Sequence, residues 1–296
     1  MSEPVVLPPV TELLGRVWHG DNLDALDRIP DASVDLIYID PPFNTGHRQA
    51  RPELRTVRDD AGDRTGFKGK RYRTVRIGSR SFSDAFDDYL GFLEPRIAHA
   101  HRVLKASGTM YLHLDYREVH YCKVLVDGIF GRSCFLNEVV WAYDYGARTT
   151  KRWPPKHDNI LVYVKDPTSY VFNVDEIDRI PYMAPGLVGP EKAARGKLPT
   201  DTWWHTIVSP TGKEKLGYPT QKPQALIERM VRASSPPGGL VLDFFAGSGT
   251  AGAAALVAGR RFLLVDDNLE AIDVMRRRFR GRVDVTFEAV ADVNPR

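Results

Sequence analysis

The 296-residue chain is 43% hydrophobic, carries a formal net charge of +3 and has two cysteines, enough apolar content for one large or two modest cores without covalent staples. Cys122 and Cys134 form no CxxC pattern and read as reduced packing residues of a cytoplasmic protein. No apolar run approaches the roughly 18 residues that span a bilayer, and Met-Ser-Glu-Pro has no basic leader or apolar h-region, so neither membrane insertion nor secretion is expected.

Residues 1–15 are proline-rich and aperiodic. Arg16 to His19 reads as a strand, and Leu23, Leu26 and Ile29 as one face of a short helix closed by Pro30. Val34-Asp35-Leu36-Ile37-Tyr38-Ile39 reads as a buried strand that Pro41 and Pro42 must end, since neither can donate to a ladder or continue as helix. What stands at its end, Asp40-Pro41-Pro42-Phe43, is a carboxylate, a carbonyl and an aromatic ring on one rigid loop. That set suits a flat molecule with an exocyclic amino group: Asp40 and the Pro41 carbonyl can accept its two hydrogens while Phe43 stacks on its face. A plain acidic strand-end turn reads equally well from these four residues alone.

The segment 46–83 is rich in Arg and Lys, including Arg48, Lys68, Lys70, Arg71 and Arg73, and low in apolar residues. It is expected to be a mobile basic loop next to the site. A helix is predicted over Tyr89 to Leu104, a strand over Thr109 to Leu114, a helix over Arg117 to Phe130, and strands at Val139 to Trp141 and Asn159 to Val164. Alternation of strand and helix at these spacings predicts a parallel sheet wound on both faces. Residues 166–216, with scattered Pro and Gly and the cluster Trp203-Trp204-His205, break the rhythm and read as an inserted module. Helices then follow at Pro223 to Ala233, Gly249 to Ala258 and Leu269 to Phe279, with strands at Leu240 to Phe244 and Phe262 to Val265.

Phe245-Ala246-Gly247-Ser248-Gly249-Thr250-Ala251-Gly252 lies between a strand and a small-residue helix and matches G-x-G-x-x-G. The glycines allow a sharp turn and close approach of a ligand to backbone N–H groups, and Asp266 or Asp267 is placed to accept from ribose hydroxyls. A dinucleotide and S-adenosylmethionine both fit; a phosphate-cradling P-loop does not, for want of its lysine. Only 44 residues follow Gly252, few for the downstream half sheet and substrate domain of a dinucleotide oxidoreductase. The nucleotide unit is therefore expected to complete a sheet begun by the earlier strands. If Leu240 to Phe244 lies beside Val34 to Ile39, the glycine turn and Asp40 face one crevice.

Asp40-Pro41-Pro42-Phe43, then Tyr218-Pro219-Thr220-Gln221-Lys222-Pro223, then Asp243 to Thr250, in this order and spanning nearly the whole chain, resemble the bacterial DNA amino-methyltransferases of the β class. The resemblance implies a doubly wound, mostly parallel α/β sheet of the Rossmann-like class I methyltransferase fold with circularly permuted motif order. It divides the chain into a catalytic half (1–165), a small target-recognition insertion (166–216) and a cofactor half (217–296). Asp40 and Pro41 would orient the amino group of a flipped base, with Pro42 stiffening the loop and Phe43 stacking on the base. Asp243, Phe245, Ala246, Gly247, Gly249 and Thr250 would line the methionine end of S-adenosyl-L-methionine, with Thr220 and Lys222 completing that pocket. Asp266 would hold the ribose, and Asp21 would lie near the adenine. The family usually has His in place of Tyr218 and Tyr in place of Phe43; neither change removes a required hydrogen bond.

The chemistry implied is methyl transfer to an exocyclic nitrogen of a base rotated out of duplex DNA, with no metal. A cytosine-C5 mechanism needs a thiolate, commonly after proline, which neither cysteine supplies. Asp as first motif residue is commoner in adenine-N6 enzymes and Ser in cytosine-N4 enzymes, so adenine is slightly favoured. DNA contacts are sought in segment 46–83, at Lys151 and Arg152 beside Trp153, and at Trp203 and Trp204. The further partners are a second copy of the chain and a cognate restriction endonuclease. The rival readings are a dinucleotide oxidoreductase and an amino-methyltransferase acting on RNA or protein.

Overall fold

A computed structural model describes residues 13–44, 49–58, 64–65, 71–82, 86, 88–146, 148–209 and 212–293. Two compact units divide the chain, 44–87 and the remainder. The strands of the larger unit are β1 (Gly15–His19), β2 (Val34–Ile39), β6 (Leu104–Leu114), β7 (Phe135–Ala142), β8 (His157–Val164), β9 (Thr202–Trp204), β10 (Leu240–Asp243), β11 (Arg261–Asp266) and β12 (Val285–Ala289). They form a nine-stranded sheet in the order β12-β1-β11-β10-β2-β6-β8-β7-β9. Every pairing is parallel except those of β8 with β6 and β7. β8 alone therefore runs against the rest, and the sheet is mostly rather than wholly parallel.

All six residues of β2 are buried, as a strand covered on both faces requires. The period-2 alternation sends Leu36 and Tyr38 into a core with α5 (Gln224–Ser234), α6 (Thr250–Val257) and α7 (Leu269–Arg278). Ile37 and Ile39 point to the other face, that of α1 (Asn22–Asp27), α2 (Tyr89–Val103) and α3 (Val119–Phe130). The expected neighbour relation holds: β10 pairs with β2 through Val241 with Leu36 and Leu242 with Ile37. Asp35, the one charge within β2, pins this junction. It is 4% exposed, accepts from Lys105 Nζ at 2.8 and 2.9 Å, and accepts the Leu240 N–H at 2.8 Å.

Two expectations need correction. Segment 46–83, expected to be a loop, forms the antiparallel strands β3 (Gln49–Arg58) and β5 (Arg71–Phe82) with the short β4 (Arg64–Thr65) paired to β5. Arg71, Arg73 and Arg76 alternate with Tyr72, Thr74, Val75 and Ile77, so β-branched and aromatic residues recur at the strand period despite the low apolar content. The region 166–216 does not stand wholly apart from the sheet: its β9 lies parallel to β7, with Trp203 opposite Trp141, and it also holds the short helix α4 (Pro190–Arg195). No described helix is long and apolar enough to cross a membrane, and Cys122 and Cys134 are buried and free.

Candidate active site

The strand directions put the ends of β1, β2, β6, β7, β9, β10 and β11, together with the beginning of β8, on one edge of the sheet. That edge is where ligands bind in open α/β sheets. It gathers Asp40, Asp243, Asp266, Asp115 and Asp158 from five strand ends.

On the cofactor side the backbone does the shaping. Gly247 and Gly249 have φ of +50° and +74°, the left-handed region that costs an L side chain about 1–2 kcal/mol. A Cβ on Gly249 would stand 2.7 Å from Met275 Cγ, and one on Gly247 would stand 2.9 Å from the Tyr218 ring. Both glycines are therefore needed for the turn and for its close cover. Asp266 accepts the Gly247 N–H at 2.7 Å and the Asn268 N–H at 2.9 Å. Burial pushes its carboxyl up to about 6, against these two hydrogen bonds and aided by the charge of Asp267. Asp243 is 3% exposed and accepts the Phe245 N–H at 3.0 Å. Burial, with the nearby charges of Asp40 and Asp266, holds its carboxyl well above the usual range.

Thr250, the first residue of α6, is buried, with its hydroxyl 3.0 Å from Ser248 Oγ and 3.3 Å from Arg278. Ala246 N–H donates to the Val265 carbonyl at 3.1 Å. Asp21 caps α1 through the Leu23 N–H at 2.7 Å and faces Arg96 at 3.7 Å. Its neighbour Asn22 donates to the Phe244 carbonyl at 3.0 Å, and this places Asp21 beside the glycine turn. The structure thus brings together Asp21, Asp243, Phe245, Ala246, Gly247, Gly249, Thr250 and Asp266. Thr220 is exposed and has no such tie.

The glycine cradle, the bound-in carboxylate at the end of β11 and the buried hydroxyl at the start of α6 fit a ribose-bearing ligand. Lys is absent from the turn, and so is the charge a triphosphate would require.

On the acceptor side the polar groups are held by side chains from remote segments. Asp40 Oδ2 accepts from Lys222 Nζ, and that ammonium lies 4.7 Å from the centre of the Phe43 ring. Lys222 is thus seated against the Asp40–Phe43 loop, with its charge also acting on Asp243 at the foot of the glycine turn. Its backbone is braced by Gln221, which accepts the Leu216 N–H at 2.9 Å and donates to the Glu214 carbonyl at 2.7 Å. Asp40 Oδ1 is buried and has no hydrogen-bond partner among the described residues.

Beneath Phe43 lies a relay that sequence reasoning missed. His113, fully buried, is 6.2 Å from the Phe43 ring centre and edge-on to Trp141 at 5.5 Å. Its Nδ1 meets Tyr38 Oη at 2.9 Å and its Nε2 meets Asp158 Oδ2 at 3.1 Å. Tyr143 Oη donates to Asp158 Oδ1 at 3.0 Å. Burial alone would raise Asp158, but the hydrogen bond and charge of His113, then Lys222, hold it below the usual carboxylate range. Burial and the charges of Asp40, Asp243 and Asp158 keep the Tyr38 phenol protonated. Of the adjacent pair His157-Asp158 at the start of β8, it is the aspartate that enters this network.

The expected DNA contacts divide. Arg48, Lys68 and Lys70 lie outside the described residues, and Arg71 and Arg73 lie on β5 of the separate smaller unit. Lys151, Arg152 and Trp153 are exposed, Trp153 at 94%, on the β7–β8 connection at the site edge. Arg152 donates to Tyr116 Oη at 3.1 Å. Trp204 is 77% exposed, whereas Trp203 packs on the core under Arg229, whose guanidinium is 4.9 Å from its ring.

The family model described as DNA methylase, of the N6/N4 methyltransferase group, matches residues 34–277. The DNA adenine methyltransferase YhdJ of Escherichia coli K12 is 32% identical over 95% of this chain and 87% of its own length. The type II methyltransferase M.HpaI of Haemophilus parainfluenzae is 31% identical over 89% and 73%. Among solved structures, the cytosine-N4-specific PvuII DNA methyltransferase matches with a TM-score of 0.62 at 17% identity, over 92% of this chain and 89% of that one. The M1.HpyAVI–SAM complex matches with a TM-score of 0.57 at 20% identity, over 90% and 99%.

Proposed function

The chain belongs to the N6/N4 DNA methylase family, and from that premise we propose that it transfers a methyl group from S-adenosyl-L-methionine to adenine N6 in duplex DNA. The observation that carries the site assignment is Asp40 Oδ1, a buried carboxylate oxygen without a hydrogen-bond partner among the described residues. Leaving such an atom unpaired costs about 1–3 kcal/mol or more for a charged group, a cost that a donor from the substrate would relieve. Adenine is supported by the relative named as a DNA adenine methyltransferase and by Asp as first motif residue.

An exocyclic amino nitrogen is a poor nucleophile because its lone pair is delocalised into the ring. Asp40 Oδ1 accepts one of its hydrogens and the Pro41 carbonyl the other, which favours an sp³-like nitrogen with its lone pair out of the ring plane. Phe43 stacks on the base and fixes that plane. The cofactor, when bound, supplies an electrophilic methyl on a sulfonium. As the nitrogen takes the methyl, leaving a neutral thioether, positive charge grows on it and the Asp40 carboxylate stabilises that charge. One amino proton then leaves along the hydrogen bond to Asp40 and passes to solvent. Asp266 accepts from the ribose, and the glycine turn lets the methionine moiety approach the backbone. The base reaches this seat by rotation out of the helix. Lys151, Arg152, Trp153 and Trp204 flank the opening and bind the strand. The insertion 166–216 reads the sequence, and a second copy of the chain and a restriction endonuclease of the same specificity are the partners.

Mass spectrometry of nucleosides from plasmid DNA incubated with protein and cofactor tests this. N6-methyladenine is expected. N4-methylcytosine alone would overturn the choice of base, and neither product on varied plasmids would overturn the function.

A further inference from the structure

Lys222 is shared between two groups that the reaction needs. Its ammonium hydrogen-bonds Asp40 Oδ2 and stands 4.7 Å from the Phe43 ring centre. Stacked aromatic rings have centroids about 4.5–7 Å apart, so the ammonium occupies the layer that a base lying on Phe43 would fill. It also holds the carboxylate to which the amino group of that base must bind. The ammonium thus lies where the base would stack and donates to one oxygen of that carboxylate, Oδ2, while the other, Oδ1, has no partner among the described residues.

The pair is well shielded: the side chains of Lys222 and Asp40 are 9% and 15% exposed. Water therefore competes poorly for either partner. The seat is preformed, because Gln221 fixes the backbone beside Lys222 to the turn at 214–216 while Pro41 and Pro42 fix the loop that carries Asp40 and Phe43. The ammonium also has somewhere to go. Besides its hydrogen bond to Asp40, its charge lowers the carboxyls of Asp158 and Asp243. A lysine stem with four rotatable carbons can swing between such neighbours, where a planar, bidentate arginine would stay.

We propose that Lys222 is a placeholder for the target base: its ammonium covers the Phe43 ring while holding Asp40 through Oδ2, and the entering base, whose amino group takes the unpartnered Oδ1, displaces the ammonium from the ring. This rests on Asp40 being the amino-group acceptor. The lysine is then a positioning residue that holds the Asp40 carboxylate in its rotamer until substrate arrives, at the expense of competing with the base for the face of Phe43. The competition also sets a threshold for capture. Only a flat ring bearing an amino donor offers both stacking on Phe43 and a hydrogen bond to the unpartnered Oδ1, so a base without an amino group gains too little to displace the ammonium.

The test is steady-state methylation of plasmid DNA with tritiated cofactor by wild type, Lys222→Gln and Lys222→Arg, with cofactor affinity measured by calorimetry. Gln is a neutral donor that does not strand Asp40, and its weaker hold should lower the KM for DNA about threefold to tenfold. Arg should raise it by a similar factor, because its fork binds a carboxylate more firmly. Cofactor affinity should move less than about twofold in both. Mere damage to the fold would raise KM in both variants and would overturn the proposal. So would a tenfold loss of cofactor affinity with an unchanged KM for DNA, which would return Lys222 to the methionine pocket. If wild type itself transfers no methyl to plasmid DNA, the functional reading fails first and takes this one with it.

Discussion

The two halves of the site edge are built by different means. At the ends of β10 and β11, Asp243 and Asp266 accept backbone N–H groups two or nineteen residues away, and left-handed glycines do the rest. At the end of β2, Asp40 is held by Lys222 from 182 residues away, and Tyr38 is held by His113 from 75 residues away. The half at β10 and β11 is a backbone structure in which each carboxylate accepts N–H groups of the neighbouring turns. The Asp40 half is a side-chain structure in which one carboxylate oxygen, Asp40 Oδ1, has no hydrogen-bond partner among the described residues, as the proposed acceptor role requires. The difference is one of purpose: a cofactor is held the same way in every turnover, whereas a base must be admitted and released.

The most direct way to break the comparison is Asp40→Ala. If the halves are separately built, methyl transfer should fall by at least about 10³-fold, the loss typical of removing a preorganised partner of developing charge. Cofactor affinity, measured by calorimetry, should stay within about twofold. Loss of cofactor binding would place Asp40 in the other half. A smaller effect is expected from His113→Phe, which keeps the ring packing near Trp141 but leaves Asp158 Oδ2 and Tyr38 Oη without their partner. Each buried orphan costs about 1–3 kcal/mol, so denaturant unfolding should show a total loss of roughly 2–6 kcal/mol with cofactor affinity intact. A loss below about 1 kcal/mol would show that the relay does not hold the acceptor half together.

The same division decides what is legible in the sequence. The glycine turn, the Asp266 position and the strand-end loop are readable from contiguous residues, because each is local chemistry with fixed spacing. The adjacency of β2 and β10, on which the shared crevice depends, is a condition in the sequence and a fact only of the folded sheet. Lys222 is visible in its motif but its seat is not: a lysine there can reach several groups, and only packing selects among them. His113 gives no signal, since a histidine inside a buried strand is indistinguishable from a core residue until β6 and β8 are paired antiparallel. The segment 46–83 conceals its strands because its charge outweighs its alternation, and β12 escapes notice because Val285 to Ala289 is short and half polar. The reversal of β8 is hidden too, since strand direction leaves no trace in composition.

The smallest effect sharpens the contrast through pH, because fold and ligand place opposite demands on Asp266. Its carboxyl, raised from 3.8 to about 6 by burial, is protonated in the folded protein at pH values where the unfolded chain has already ionised. The unfolded state then binds fewer protons, so Asp266 favours folding at low pH, and that contribution is lost as pH rises from about 4 through 6. Asp243, also raised, works in the same direction. Asp158, depressed, works the other way, its stabilisation disappearing only as pH falls below the ordinary carboxylate value. The ribose, by contrast, calls for the ionised acceptor. Cofactor affinity should therefore weaken by about tenfold at about one unit below the Asp266 midpoint, where thermal stability of the ligand-free protein is higher than at neutral pH. Calorimetric titrations and melting curves between about pH 5 and 8 read both trends, and Asp266→Asn should flatten the first and only partly flatten the second, because Asp243 remains. If the affinity of the Asp266→Asn variant still falls on acidification, the proton is being taken up elsewhere, and Asp243 beneath the turn is the next carboxyl to replace.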